Sequence, residues 1–211
     1  MRGVNVRLLR KEIADKGGKA IAARITSVIE KELDKKTDKF LQKFDEHIVT
    51  QELQAGPGSG SKFLPSSNGS LFGLLGFDKG QNPIAALRKI LKDGIKMQKN
   101  RIGTKTTENG RILIEVPVNI ISLGEVYKET QNDDDTKISW SGRSFVDQIQ
   151  KGIDGFGSYL SGMFKTSRSG DGMQAKNQDG SPANIRNVEL KPIKYVDELL
   201  EKFKQSLRSS K

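Results

Sequence analysis

The chain has 211 residues, which is enough for one domain with a substantial buried core. It has no cysteine and a single histidine, so disulfides, cysteine nucleophiles and metal sites built from several histidines are excluded. Lysine and arginine number 36 against 26 acidic residues. The resulting charge of +10 favours acidic partners such as nucleic acid, an acidic protein surface or an anionic membrane, although a merely solvated basic surface is the alternative.

The sequence gives no sign of membrane insertion or secretion. No apolar stretch reaches the length of about eighteen residues that a transmembrane helix requires. The first residues, MRGVNVRLLRKEI, are basic but lack the apolar region of a secretory signal. We therefore expect a soluble protein made in the cytoplasm.

The clearest predicted element is an amphipathic helix over residues 19–44. Its apolar residues recur at steps of three, four and seven, with charged residues between them. We expect the following side chains to be buried: Ile25, Val28, Ile29, Leu33 and Phe40. Gly17 and Gly18 predict a break before this helix, so that residues 1–18 form a basic arm or a short helix.

The next part of the chain predicts a strand, a loop and a helix. The β-branched run from His47 to Leu53 indicates a strand, and the Gly-, Ser- and Pro-rich residues 55–70 indicate a long loop. Residues 71–77 are apolar but short and contain two glycines, which indicates a closely packed, extended stretch. Asn82 as N-cap and Pro83 in the first helical position predict a helix that ends near Gly94.

The second half alternates short strands and helices without a regular βαβ order. Asn109-Gly110 predicts the turn of a hairpin between strands 95–102 and 111–118, with a long polar tip over 103–110. The remaining predicted elements are a helix over 123–129, a helix over 145–153, a loop over 165–187 and a last helix over 192–208. Strand positions are predicted at Tyr159, Leu160, Met163 and Phe164. This pattern predicts an α+β fold, in which a long N-terminal helix packs on a mainly antiparallel sheet and residues 19–211 form one domain.

The motifs that suggest catalysis do not meet their requirements. Gly56 to Lys62 lacks the glycine before the lysine and the Ser or Thr after it that a phosphate-binding loop needs. Residues 170–175 resemble a dinucleotide fingerprint but do not lie between a clear strand and a helix. The acidic run 133–135 predicts a solvated turn, and His47 predicts a hydrogen-bonded structural histidine. We therefore expect no enzyme, no catalytic residue, no cofactor and no metal.

Several stretches taken in order resemble a known family. They are HIVTQELQAGP, NGSLFGLLGFDKGQNPIAALRKIL, WSGRSFVDQIQKGIDGFGSYL and SRSGDGMQ, followed by an amphipathic C-terminal helix. Together they resemble the neck, tail-completion and tail-terminator proteins of tailed bacteriophages, over most of residues 45–208. The resemblance implies a non-enzymatic virion protein of the head–tail joint. Its subunits would form a homo-oligomeric ring, with six-fold symmetry favoured, around the DNA channel and beside other neck and tail proteins, with no membrane partner.

Two groups of residues are candidates for such a role. Residues expected to face the lumen and its double-stranded DNA are Lys96, Lys99, Arg101, Lys105 and Arg111, although they could simply keep the hairpin soluble. Residues expected at subunit interfaces are Phe63, Leu64, Leu71, Phe72, Trp140 and Arg143. Loops 55–70 and 103–110 are expected to reach a neighbour or the lumen. The alternatives are a basic accessory protein that coats DNA without reading its sequence, and a hydrolase with unrecognised acids.

Overall fold

The computed structural model describes residues 6–63, 70–99, 103–106, 112–138, 142–152, 159–161, 172–174, 178–179 and 190–208. These residues form an α+β fold, as predicted. The helices are α1 (Val6–Asp45), α2 (Ile48–Gln54), α3 (Leu71–Leu75), α4 (Pro83–Asp93), α5 (Leu123–Asn132), α6 (Phe145–Lys151) and α7 (Val196–Arg208). The strands are β1 (Ile95–Met97), β2 (Gly103–Thr106), β3 (Ile112–Glu115), β4 (Val118–Ile120), β5 (Tyr159–Ser161) and β6 (Gly172–Gln174).

The strands described pair antiparallel, as predicted, in three separate two-stranded ladders: β1 with β4, β2 with β3, and β5 with β6. The chain divides into two compact units. Unit 1 comprises Met1–Asp38 and Ile95–Ile120, and unit 2 comprises Lys39–Gly94 and Ile121–Lys211.

Helix α1 is longer than the sequence predicts. It passes through Gly17 and Gly18 without interruption, so the predicted break is wrong. Glycine lowers helix stability by only about 1 kcal/mol relative to alanine, which a long flanking helix can tolerate. Leu33 and Phe40 are buried as predicted, Ile29 is half-buried, and Val28 is 57% exposed. The side chain of Ile25 lies outside the described part of the chain.

The exposure of Val28 follows from helix geometry. Each residue advances about 100° around an α-helix, so Val28 lies about 140° from Leu33. Steps of three and four residues look like one face locally, but a run of four-residue steps rotates around the helix axis. The apolar residues of α1 therefore do not share a single buried stripe.

The predicted hairpin is present in unit 1, with a break in its ladder. Ile95 to Met97 pair with Ile120 to Val118, and Gly103 to Thr106 pair with Glu115 to Ile112. Between these segments lie residues 98–102 on one side but only 116–117 on the other. Pro117 has no amide to continue the ladder, while its carbonyl accepts a hydrogen bond from the Gln98 amide at 2.9 Å. The predicted hairpin tip over 103–110 begins too early, because residues 103–106 form β2. Residues 107–111 lie outside the described part of the chain.

The predicted strand at 47–53 is wrong, because this segment forms α2. His47 caps the helix, and its Nδ1 accepts a hydrogen bond from the Val49 amide at 3.3 Å. The hydroxyl of Thr50 shares a 2.6 Å hydrogen bond with that of Tyr195, and Leu53 is buried. Packing in unit 2 thus overrides the strand preference of the β-branched residues.

The extended stretch predicted at 71–77 is also wrong. Ser70 caps α3 by accepting a hydrogen bond from the Gly73 amide at 3.0 Å. Gly76 ends the helix with φ of 79°, a left-handed conformation that glycine adopts without strain. A five-residue helix is thus defined by two local caps and buried on all sides.

The remaining helices of unit 2 follow their caps. Helix α4 begins and ends as predicted, with Asn82 as N-cap and Gly94 as C-cap. The helices predicted at 123–129 and 145–153 are present as α5 and α6, whereas α7 begins at Val196 rather than at Pro192. The predicted strand positions Tyr159 and Leu160 belong to β5, whereas Met163 and Phe164 lie outside the described residues. The predicted loop 165–187 contains β6.

Aromatic contacts connect these helices into the core of unit 2. Phe40 of α1 lies against Phe203 of α7, with ring centroids 4.9 Å apart. Phe77 contacts Phe145 at the start of α6, edge to face at 5.5 Å. These two contacts join α1 to α7 and the segment before α4 to α6.

Candidate functional site

The hairpin of unit 1 carries part of the predicted DNA-facing charge. Lys96 is exposed opposite Asn119, between buried Ile95 and half-buried Met97. Lys99 is also exposed, but its Nζ lies 2.6 Å from a carboxylate oxygen of Glu30 on α1. An exposed ion pair of this kind stabilises a protein by at most about 1 kcal/mol, but it partly neutralises the lysine.

The side chains of the other predicted basic residues are not among those that the structure describes. Lys105 lies in β2 opposite Leu113, and its side chain is outside the described part. Arg101 and Arg111 lie outside the described residues altogether. Of these candidates Lys96 is therefore the best suited to contact an anion, because it is exposed and forms no ion pair with any residue that the structure describes.

The predicted subunit-interface residues fall into three groups. Leu71 and Phe72 are 0% and 3% exposed in the core of unit 2, which corrects their assignment to a surface. Phe63 is half-buried and Arg143 is exposed. Leu64 and Trp140 lie outside the described residues.

An exposed apolar residue on α1 was missed as a surface candidate. Val28 is the large apolar side chain that stands out as exposed among the described residues. Its neighbours on the helix surface, Arg24 and Lys31, are exposed too. The rotation of the apolar positions around α1 was the sequence signal that could have identified it.

The single histidine has the structural role that the sequence predicts. Its ring packs against Tyr195, with centroids 4.7 Å apart, while Nδ1 caps α2. Burial lowers the pKa of His47 below its ordinary value of 6.5; Glu198 opposes this shift and Lys202 adds to it. Burial raises the pKa of the Tyr195 hydroxyl, so this hydroxyl stays protonated near neutral pH and shares its hydrogen bond with Thr50.

The acidic run 133–135 forms the predicted turn. The Asp135 amide donates a 2.9 Å hydrogen bond to the carboxylate of Asp133, and buried Thr136 donates one of 2.7 Å to the carbonyl of Thr130. Within the residues that the structure describes, no group of three or more acidic or histidine side chains is arranged to hold a metal ion. The turn connects α5 to the segment before α6.

Comparison of the chain with protein-family models, with curated proteins and with solved structures finds no match. Among the described helices, none combines the length and the apolar character that a membrane span requires.

Proposed function

We propose that this protein is a non-enzymatic structural subunit of a tailed-bacteriophage virion. Its copies form a homo-oligomeric ring at the head–tail joint, in contact with other neck and tail proteins and around the DNA channel. The order of the sequence stretches quoted above supports the phage assignment. The construction of unit 1 supports assembly.

Among the side chains of unit 1 that the structure describes, few are buried. Its buried side chains, among those described, are Leu33, Thr37 and Ile95. A helix in water depends mainly on tertiary packing, and a two-stranded hairpin alone is marginally stable. Exposed Val28 offers apolar surface on the same unit. Packing against a neighbouring copy would bury more of these side chains. The small number of buried side chains among those described in unit 1 is the observation that carries the proposal.

The basic charge fits a channel through which DNA passes. Exposed Lys96 on the hairpin can approach phosphates, which carry no sequence information. DNA must move through such a channel, so weak and salt-sensitive contact suits the role better than tight binding. The same charge keeps a second candidate open, a basic accessory protein that coats DNA.

Electron microscopy of the purified protein tests the ring directly. We expect closed rings with a central hole at physiological salt and without DNA. A DNA-coating protein would instead form filaments or clusters only with DNA, and would lose them steeply as salt rises. Observing only that behaviour would replace the ring proposal with the second candidate.

A charge reversal tests the DNA-facing assignment. Lys96→Glu should weaken binding to duplexes of any sequence equally and reduce the salt slope by about 1. Lys128→Glu, which reverses an exposed lysine on α5, is the matched control. Equal effects of the two variants would mean that the hairpin has no special place near DNA.

A further inference from the structure

Helix α1 carries apolar residues on two opposite sides. Leu33, Phe40 and Phe44 are buried and share one side, because each residue advances about 100° around the helix axis. The other side, which carries Arg24 over residues 6–31, is here called the Arg24 face. Helix register places the following apolar residues within about 60° of the direction of Arg24: Val6, Leu9, Ile13, Ala20, Ile21 and Val28.

The Arg24 face is exposed where the structure describes its side chains. Val28 is 57% exposed, and Arg24 and Lys31 on the neighbouring turns are exposed too. Neither Arg24 nor Lys31 forms an ion pair with any residue that the structure describes. An apolar side chain between two such cations suits a partner whose surface is acidic.

The charges of the Arg24 face have one sign. Helix register places these basic residues within about 100° of the direction of Arg24: Arg7, Arg10, Lys16 and Lys31. The acidic residues of the same stretch are Glu12, Asp15 and Glu30, and they lie at least about 120° away. Two copies of this face would oppose basic to basic in either orientation. The charge pattern therefore disfavours pairing of α1 with α1 of a second copy.

A surface of opposite charge lies on α5 and the turn that follows it. Residues 123–135 contain five acidic residues and one lysine, in a chain whose net charge is +10. Glu129 and Asp134 are exposed, and their carboxylates form no ion pair with any described residue. The Gln81 side chain donates a hydrogen bond to the Asp134 carbonyl, and the Asp135 amide donates one to the Asp133 carboxylate. The turn is thus held in place before any partner arrives.

These two surfaces meet the requirement of a closed ring. A ring needs a heterologous contact, in which each subunit presents two different surfaces that fit one another. The Arg24 face is basic and the surface of α5 and its turn is acidic, so each fits the other but not a second copy of itself. Leu123 and Tyr127 of α5 are half-buried, so part of their apolar surface is open to contact with Val28.

We propose that the Arg24 face of one copy docks on α5 and the 133–135 turn of the next copy. Arg24 and Lys31 pair with the carboxylates of Glu129 and Asp134, and Val28 is covered by the contact. The inference rests on the proposed ring and names the two surfaces that join its subunits.

Charge reversal on each surface tests the pairing by sedimentation equilibrium without DNA. Variant A carries Arg24→Glu and Lys31→Glu, and variant B carries Glu129→Lys and Asp134→Lys, all at exposed positions. Each variant alone should associate at least roughly tenfold more weakly than the unchanged chain, because like charges then face each other. The control carries Lys89→Glu and Lys92→Glu at exposed positions of α4, with the same change in net charge as variant A, and should associate as the unchanged chain does.

An equal mixture of variants A and B separates the pairing from a general effect of charge. In the mixture each reversed surface meets a surface of opposite charge, so association should return to within about threefold of that of the unchanged chain. If variant A associates as the control does, or if the mixture associates no better than its components, the inference is overturned while the ring stands. An unchanged chain that stays monomeric at every concentration would overturn the ring and this contact together.

Discussion

Changing Val28 to glutamate separates packing inside the chain from packing between copies. Val28 is 57% exposed, so in dilute monomer Val28→Glu should change the free energy of unfolding by no more than about 1 kcal/mol. Phe40 on the same helix is 4% exposed and packs against Phe203 at 4.9 Å. Phe40→Ala should therefore cost about 3–5 kcal/mol in the same measurement.

The effects on assembly should run in the opposite order. In a ring that buries Val28, glutamate would place an unpaired charge in an apolar contact at a cost of at least about 2 kcal/mol. This corresponds to association weakened by roughly thirtyfold or more per contact. Urea denaturation followed by circular dichroism gives the monomer stability, and sedimentation equilibrium gives the association constant. The reasoning fails if Val28→Glu destabilises the monomer as much as Phe40→Ala does, or if it leaves association unchanged.

Three further predictions concern the fold. Gly94→Ala should destabilise the protein by about 1–3 kcal/mol, because a Cβ there would lie 2.5 Å from the Cβ of Ile121. In Gly124→Ala, on α5, the new Cβ meets nothing within 4 Å, so this variant should be neutral or stabilising. Thermal melts of the two variants measure the difference. The lowered pKa of His47 means that this side chain binds a proton less tightly in the folded protein than in the unfolded chain. The stability that neutral His47 contributes is therefore complete above pH 6.5 and declines as pH falls below it. His47→Asn keeps an N-cap acceptor and should flatten the pH dependence of the free energy of unfolding in this range. Glu52→Gln should cost about 1–3 kcal/mol and speed amide exchange at Lys62, while Glu46→Gln at an exposed position should do neither.

Elements with local signals were predictable from the sequence. Helix α4 has both of its ends at the predicted residues, because its signals are local: the Asn82 side chain accepts a hydrogen bond from the Ala85 amide, and Pro83 occupies the first helical position. The hairpin was predictable from the Asn109-Gly110 dipeptide in the sequence and from the residues of its two strands. The break in its ladder was not predictable, because no local signal shows that residues 98–102 of one strand lie opposite only residues 116–117 of the other.

Elements determined by tertiary packing were not predictable. The run Ile48-Val49-Thr50 favours a strand locally. The hydrogen bond between the hydroxyls of Thr50 and Tyr195, 145 residues apart, forms in the helical conformation instead. The burial of Leu71 and Phe72 likewise depends on partners distant in sequence, so an apolar run that looked available for a neighbour belongs to the core. Of the candidate site, the sequence identified exposed Lys96 but not the ion pair that partly neutralises Lys99.

The mass of the purified protein in solution tests the central claim most directly. Light scattering at physiological salt, over a range of concentrations and with and without duplex DNA, measures it without labels or variants. Assembly into a ring predicts a discrete multiple of the 23.3-kDa chain without DNA, near 140 kDa for six copies. A 23.3-kDa monomer at every concentration, gaining mass only with DNA and losing it as salt rises, would contradict the account.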